Sequence, residues 1–177
     1  MKKLSHDEIL EKKPSIEEVI KKKKNEIYAL LDNVRSLHNV GAIFRTSDAV
    51  CLKKLFLCGI TGHPPRKEIS KTALGAEEIV KWEHNEDTIE VIKELKKKGI
   101  KIIAVELAHK SEIFYEAKYD FPVCFIFGHE VLGISDEVME LVDMTVEIPM
   151  LGRANSLNIS TCYGIIVYDA LKKLQNE

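Results

Sequence analysis

Five short apolar runs, separated by amphipathic stretches long enough for helices, constrain the fold of this chain before any single residue does. The runs at 27–34, 54–60, 100–106, 122–127 and 144–149 are nearly continuous in apolar side chains rather than alternating with polar ones. Strands read this way when both faces are covered, as in a parallel sheet flanked by helices. Helical patterns fill the gaps at 41–51, 66–73, 86–98, 135–142 and 157–175. The third of these ends at Gly99, a residue suited to the left-handed conformation just past a helix. In the last, Ile159, Cys162, Ile166, Ala170 and Leu174 mark one face at helical spacing. Such alternation predicts an α/β fold with a mostly parallel sheet and helices on both faces.

Upstream of the first run, residues 1–26 read as an N-terminal helical extension on a domain spanning 27–177. Ser5 and Ser15 each open an S-x-x-E pattern, the signature of a capping box. Ile16, Val19 and Ile20 then form a stripe expected to pack on the main body, with Lys21, Lys22, Lys23 and Lys24 following. At 177 residues the chain has the length of one domain, and no apolar run approaches the roughly 18–20 residues of a membrane span. The first residues lack the apolar stretch of a signal peptide. Cys51, Cys58, Cys124 and Cys162 have no CxxC spacing, so reduced thiols in a cytoplasmic protein are expected. The six histidines are scattered without metal-ligand spacing, and no metal is expected. A net charge of −2 does not by itself advertise a nucleic-acid partner, but the lysines gathered near one end make a candidate phosphate-binding patch.

In an open parallel sheet, ligands bind beyond the carboxyl ends of the strands, so the segments that follow strands should carry the chemistry. Three stand out. In LHNVGAIFRT, Asn39 either caps a helix or serves a site, and Arg45 sits one turn into an apolar helix start, where a guanidinium needs a carboxylate or phosphate. FIFGHEVLGIS runs from a core strand into Gly128, then Glu130 at the rim of the sheet, then Gly133, with Ser135 placed to cap the next helix. EIPMLGRANSLNIS forces a turn with Pro149 and Gly152, and brings Ser156 and Asn158 to the start of an apolar helix. Either of those two is a potential N-cap. No G-x-G-x-x-G, P-loop or G-x-S-x-G pattern occurs, which removes dinucleotide, P-loop and α/β-hydrolase readings.

Together the segments resemble the three motifs of the SpoU (TrmH-like) RNA 2′-O-ribose methyltransferases, within the SPOUT superfamily. HNVGAIFRT is similar to N-x-G-x-x-x-R, FGHEVLGIS to G-x-E-x-x-G, and IPMLGRANSLNIS to I-P-M-x-G-x-x-x-S-L-N-[VI]-S. The similarity extends over about residues 27–175, and the third motif is long and specific. The resemblance implies a C-terminal trefoil knot, a homodimer with sites at the subunit interface, S-adenosylmethionine as methyl donor and RNA (tRNA or rRNA) as substrate. By position it makes Arg45 the catalytic arginine, with Asn39, Glu130, Ser156 and Asn158 around it. It assigns Gly128, Ile148, Met150 and Leu157 to the cofactor. His129 and Val131 depart from the small or amide residues that usually flank the glutamate, and residues 1–26 are too short for the separate RNA-binding domain of many relatives.

On this reading Arg45 hydrogen-bonds the ribose 2′-oxygen and a neighbouring phosphate, since a guanidinium does not give up its proton, and Glu130 orients it. Lys21 through Lys24, Arg35 and Arg66 are the candidate phosphate contacts. If they act electrostatically, RNA affinity falls steeply as salt is raised in a filter-binding or anisotropy titration; a flat response would remove them.

Overall fold

The computed structural model describes residues 1–176; the last residue of the expected domain, 177, lies outside them. Seven strands form one wholly parallel sheet in the order β3-β2-β1-β6-β4-β7-β5. They are β1 (Ile27–Asp32), β2 (Lys54–Cys58), β3 (Trp82–Asn85), β4 (Lys101–Val105), β5 (Glu112–Ile113), β6 (Val123–Phe127) and β7 (Met144–Glu147). All five expected strands are present. The two that periodicity missed, β3 and β5, are the sheet edges: β3 is half-buried and reads WEHN, and β5 is two residues long. Neither needs an apolar run, because an edge has a neighbour on one side only.

The continuous runs are explained by two cores. Ala29 and Leu31 of β1, Leu55 and Leu57 of β2, and Phe125 and Phe127 of β6 point to one face. There they meet α3 (Leu37–Ala49), α4 (Lys67–Ala73) and α7 (Ile159–Leu174). Leu30, Phe56, Cys124 and Ile126 point to the other, against α5 (Thr88–Lys97) and α6 (Asp136–Met139). Alternation therefore exists in space and is invisible in the sequence, since both sets are apolar. On α5, Asp87 accepts from the Glu90 N–H as the N-cap, and Gly99 ends the helix with φ +76°.

Two local expectations need correction. Ser5 and Ser15 do form capping boxes at α1 (His6–Glu11) and α2 (Ile16–Lys21), but neither helix has a buried residue. Ile16 and Ile20 remain 57% and 51% exposed, and of the stripe only Val19 is half-buried, bordering a groove with Ala49 and Cys51. The second concerns α3, which starts at Leu37 rather than near 41. Ser36, not Asn39, is its N-cap, accepting from the Asn39 N–H at 3.3 Å. Arg45 consequently lies more than two turns into the helix.

The motif glycine Gly41 has a packing role inside α3. A Cβ there would lie 2.3 Å from the Ile69 carbonyl oxygen and 2.1 Å from Thr72 Oγ1, both on α4. Across the sheet-facing side, the Tyr163 hydroxyl of α7 and Ser47 Oγ of α3 approach to 2.5 Å in the core. Gly41→Ala should therefore force α3 and α4 apart and cost about 1–3 kcal/mol. The expected outcome is a melting temperature lowered by several degrees, read by calorimetry or chemical denaturation.

Candidate active site

Every parallel strand of the sheet ends on the same side, and the three singled-out segments leave β1, β6 and β7 there. Strands β1 and β6 are neighbours, in register from Ile27↔Val123 to Leu31↔Phe127. The loops after them are thereby brought side by side. Glu130, on the loop after β6, reaches across: its Oε2 accepts from the Arg35 N–H and its Oε1 from the Ser36 N–H, both at 3.1 Å. The carboxylate thus occupies the N-terminal end of the 13-residue helix α3, where unpaired amides and the helix dipole favour an anion. Burial alone would raise its pKa; the amides of Arg35, Glu130 and Ser36 and the Asn39 side chain outweigh that and hold it below the usual glutamate value.

Asn39 joins the third segment to the other two. Asn158 Nδ2 donates to Asn39 Oδ1 at 3.2 Å, while Asn158 Oδ1 accepts from the Ser160 N–H at 2.9 Å as the N-cap of α7. Asn158 is both a cap and a link between segments. Three stretches far apart in sequence are thus tied by Glu130, Asn39 and Asn158 into one assembly.

Beside this assembly lies a cavity of about 480 Å³ at the ends of β4, β6 and β7. That is the size of a small-molecule site. Gly128, Ile148, Met150 and Leu157 all line it, as do Glu130, Ser156 and Asn158. Gly128 is required by close approach, since a Cβ on it would lie 2.5 Å from the carbonyl carbon of Gly133. Glu106, Glu130 and Glu147 give the wall its charge, and no lysine or arginine lines it. Cys162 borders the cavity too. Burial, then the nearby Glu106, pushes its thiol up to about 12, so it stays protonated and is not a nucleophile.

Arg45 is not part of this assembly. It is exposed on α3, does not line the cavity, and has no hydrogen bond or ion pair among the described residues. The expected orienting contact from Glu130 is absent because that carboxylate is already committed to the amides at 35 and 36. Arg35 is exposed beside Glu130, and Arg66 is exposed at the residue preceding α4. Lys21 through Lys24 lead into β1 and therefore lie at the opposite edge of the sheet from the cavity, Lys21 and Lys22 bordering a groove with Asp48 and Cys51. Among the described residues no group of three His, Cys, Asp or Glu is placed to hold a metal ion.

Sequence reasoning gave no role to two residues that line the cavity. Glu106, at the end of β4, had no motif to flag it. His129 was noted only as a departure; its Nδ1 accepts from the Val131 and Leu132 N–H groups at 3.0 and 3.1 Å, so the imidazole shapes the turn that presents Glu130. A carboxylate directly after an apolar strand was the signal available for the first.

A parallel sheet with three linked loops around an acidic cavity at its carboxyl edge defines an α/β enzyme that takes a small ligand outside the dinucleotide and P-loop patterns. The family model described as "SpoU rRNA Methylase family" matches residues 26–168, and the chain belongs to that family. It is 33% identical over 170 residues to a tRNA (guanosine(18)-2'-O)-methyltransferase of Aquifex aeolicus, covering 96% of this chain and 80% of the relative. The crystal structure of the A. aeolicus TrmH/SpoU tRNA modifying enzyme superposes with a TM-score of 0.82 at 33% identity, over 91% of this chain and 81% of that one. An AdoMet-bound rRNA methyltransferase from Sinorhizobium meliloti gives 0.79 at 29% identity, over 85% and 57%.

The lowered pKa of Glu130 fixes the sign of a pH effect. Its bonds to the amides stabilise the fold above the ordinary glutamate value of roughly 4.3, and that contribution is lost as pH falls through the lower folded value. Glu130→Gln should melt below the wild type at neutral pH, and the gap should close as the pH is taken below about 4.

Proposed function

We propose that this protein transfers a methyl group from S-adenosylmethionine to a ribose 2′-hydroxyl, in tRNA by preference, acting as a cytoplasmic homodimer. Residues 27–177 form the methyltransferase domain on this reading, with 1–26 as an extension and the third motif threaded in a trefoil knot. The observation that carries it is the linkage of the three motif segments, through Glu130, Asn39 and Asn158, beside one acidic cavity.

The cavity suits the donor chemically. S-adenosylmethionine supplies a methyl on a sulfonium, and it carries an ammonium as well; a wall with three carboxylates and no lysine or arginine matches both cations. Gly128, Ile148, Met150 and Leu157 would hold it, the apolar side chains of Ile148 and Leu157 against the adenine. No metal is needed for displacement at a sulfonium, so the protein's task is alignment of nucleophile and methyl, worth about 7–11 kcal/mol when it is close to ideal.

The remaining task is to make the 2′-oxygen a better nucleophile. Arg45 donates hydrogen bonds to it and to an adjacent phosphate, stabilising the developing alkoxide. Its solitary, exposed position favours a dimer, in which α3 of one protomer presents Arg45 to substrate held at its partner's cavity. Exposed apolar side chains next to the cavity lining support the same arrangement: Leu151, which follows the lining residue Met150, is 98% exposed, and the lining residue Val131 and its neighbour Leu132 are each 81% exposed. Ser156 and Asn158 line the same cavity and would hold the ribose or the methionine end of the cofactor. tRNA is the preferred substrate because the Aquifex relative, aligned over nearly the whole chain, carries a tRNA name. The rRNA enzyme from Sinorhizobium supports rRNA as the second reading. The four free cysteines suit a reducing compartment.

Labelled S-adenosylmethionine incubated with unmodified total RNA should yield a 2′-O-methylated nucleoside by mass spectrometry, with the label in the tRNA band. Arg45→Lys keeps the charge and loses the planar fork, so turnover should fall by about a hundredfold or more. Near-normal turnover would sink the role given to Arg45. A base-methylated product would overturn the ribose reading, and cofactor binding without incorporation would point to an RNA-binding protein that has lost its chemistry.

A further inference from the structure

Glu106 is the one carboxylate of the cavity that is both fixed in place and still free to accept hydrogen bonds. It follows Val105 at the end of β4, between the ends of β6 and β7. Its Oε1 accepts from the Leu107 N–H at 3.0 Å, and its Oε2 from the Ile134 N–H at 3.1 Å. Gly133, with φ +70°, passes directly over it: a Cβ on that residue would lie 2.5 Å from Oε2. The carboxylate is therefore clamped between β4 and the loop that carries Glu130, and it cannot swing away.

A carboxylate offers about four acceptor directions, and two amides use only half of them. The remaining directions, one on each oxygen, belong to a side chain that lines the cavity. The other two acids there are unlike it. Glu130 is engaged by the amides of Arg35, Ser36 and itself and by the Asn39 side chain, and Glu147 has no side-chain hydrogen bond among the described residues to fix it. Two free acceptor positions on one rigid, planar group match two adjacent hydroxyl donors. An ordered acid at the end of a parallel strand reads a ribose diol by the same geometry in other α/β folds.

We propose that Glu106 is the residue that recognises the 2′,3′-diol of the cofactor's ribose, and so sets the preference of this cavity for an adenosyl over a deoxyadenosyl ligand. The inference rests on the reading of the cavity as the S-adenosylmethionine site. Glu106 is a binding and specificity residue here, with no part in the methyl transfer itself. Because it also holds the Ile134 amide, its replacement affects the loop as well as the ligand, and the test must separate the two.

A thermodynamic cycle does so. The affinities of wild type and Glu106→Gln for S-adenosylhomocysteine and for its 2′-deoxy and 3′-deoxy counterparts, and separately for S-adenosylmethionine, are measured by isothermal calorimetry. Wild type should lose about tenfold or more for each hydroxyl removed, the scale of a hydrogen bond to a charged group. In Glu106→Gln the parent ligand should weaken by a similar factor, while the further loss on removing a hydroxyl shrinks to about twofold or less. A purely structural role would lower all three affinities together and keep the hydroxyl penalty, which overturns the proposal. A variant that weakens S-adenosylmethionine far more than S-adenosylhomocysteine, with the penalty intact, also overturns it and makes Glu106 a counter-charge. The wild-type arm stands alone if the variant does not fold: equal binding of the three ligands refutes diol recognition. Failure of wild type to bind the parent ligand at all refutes the cofactor reading beneath it.

Discussion

The site depends on a single carboxylate placed at the start of a helix it does not belong to. Glu130 leaves the loop after β6 and seats on the amides of Arg35 and Ser36, which open α3 after β1. Those amides would otherwise go unpaired at a helix N-terminus, and the helix dipole adds to the attraction. Everything else at the site is arranged around this contact. Asn39, one turn into α3, is placed to face both Glu130 and Asn158, and Asn158 in turn starts α7. The neighbours β1 and β6 supply the alignment; the ion–amide contact converts it into a fixed distance between loops.

Much of this was legible in the residues themselves. The five apolar runs located the five inner strands, and capping patterns located the starts of α1, α2 and α6 at Ser5, Ser15 and Ser135. What stayed hidden has a physical reason in each case. Strand β3 is an edge with Glu83 and His84 in it, so it lacks the apolar signature of a covered strand. The start of α3 was placed too late because the apolar pattern begins only after Asn39, and the Ser36 cap is set by backbone conformation. The partner of Glu130 was misread because an arginine is the obvious mate for a carboxylate, whereas two backbone amides leave no trace in a sequence. Glu106 was invisible for a similar reason: its fixed position comes from the Leu107 and Ile134 amides, not from a side chain.

Charge is partitioned more sharply than the net value of −2 suggests. Residues 1–24 hold eight lysines against five acids, and the cavity at the opposite edge of the sheet is lined by acids alone among its charged side chains. A cationic small ligand and a polyanion would thus be drawn to different parts of the surface, and the two need not compete. The exposed apolar side chains of α1 and α2 lie on the basic side, where Ile16 and Ile20 find no cover within the chain.

The strand order carries a consequence for how the molecule comes into being. The cavity is walled by the ends of β4, β6 and β7, and its far side comes from the segment between β7 and α7. On a ribosome these pieces emerge over the second half of synthesis, and the strand that bridges the halves of the sheet, β6, must slot between β1 and β4, both made earlier. Such pairings close long loops and are slow to form. A nascent chain therefore has nothing to join β1 to β4 until β6 is made, and it has no working pocket until residues 148–158 are delivered. Competence for the reaction arrives late and in one step, so fragments released early would be inert rather than partly active.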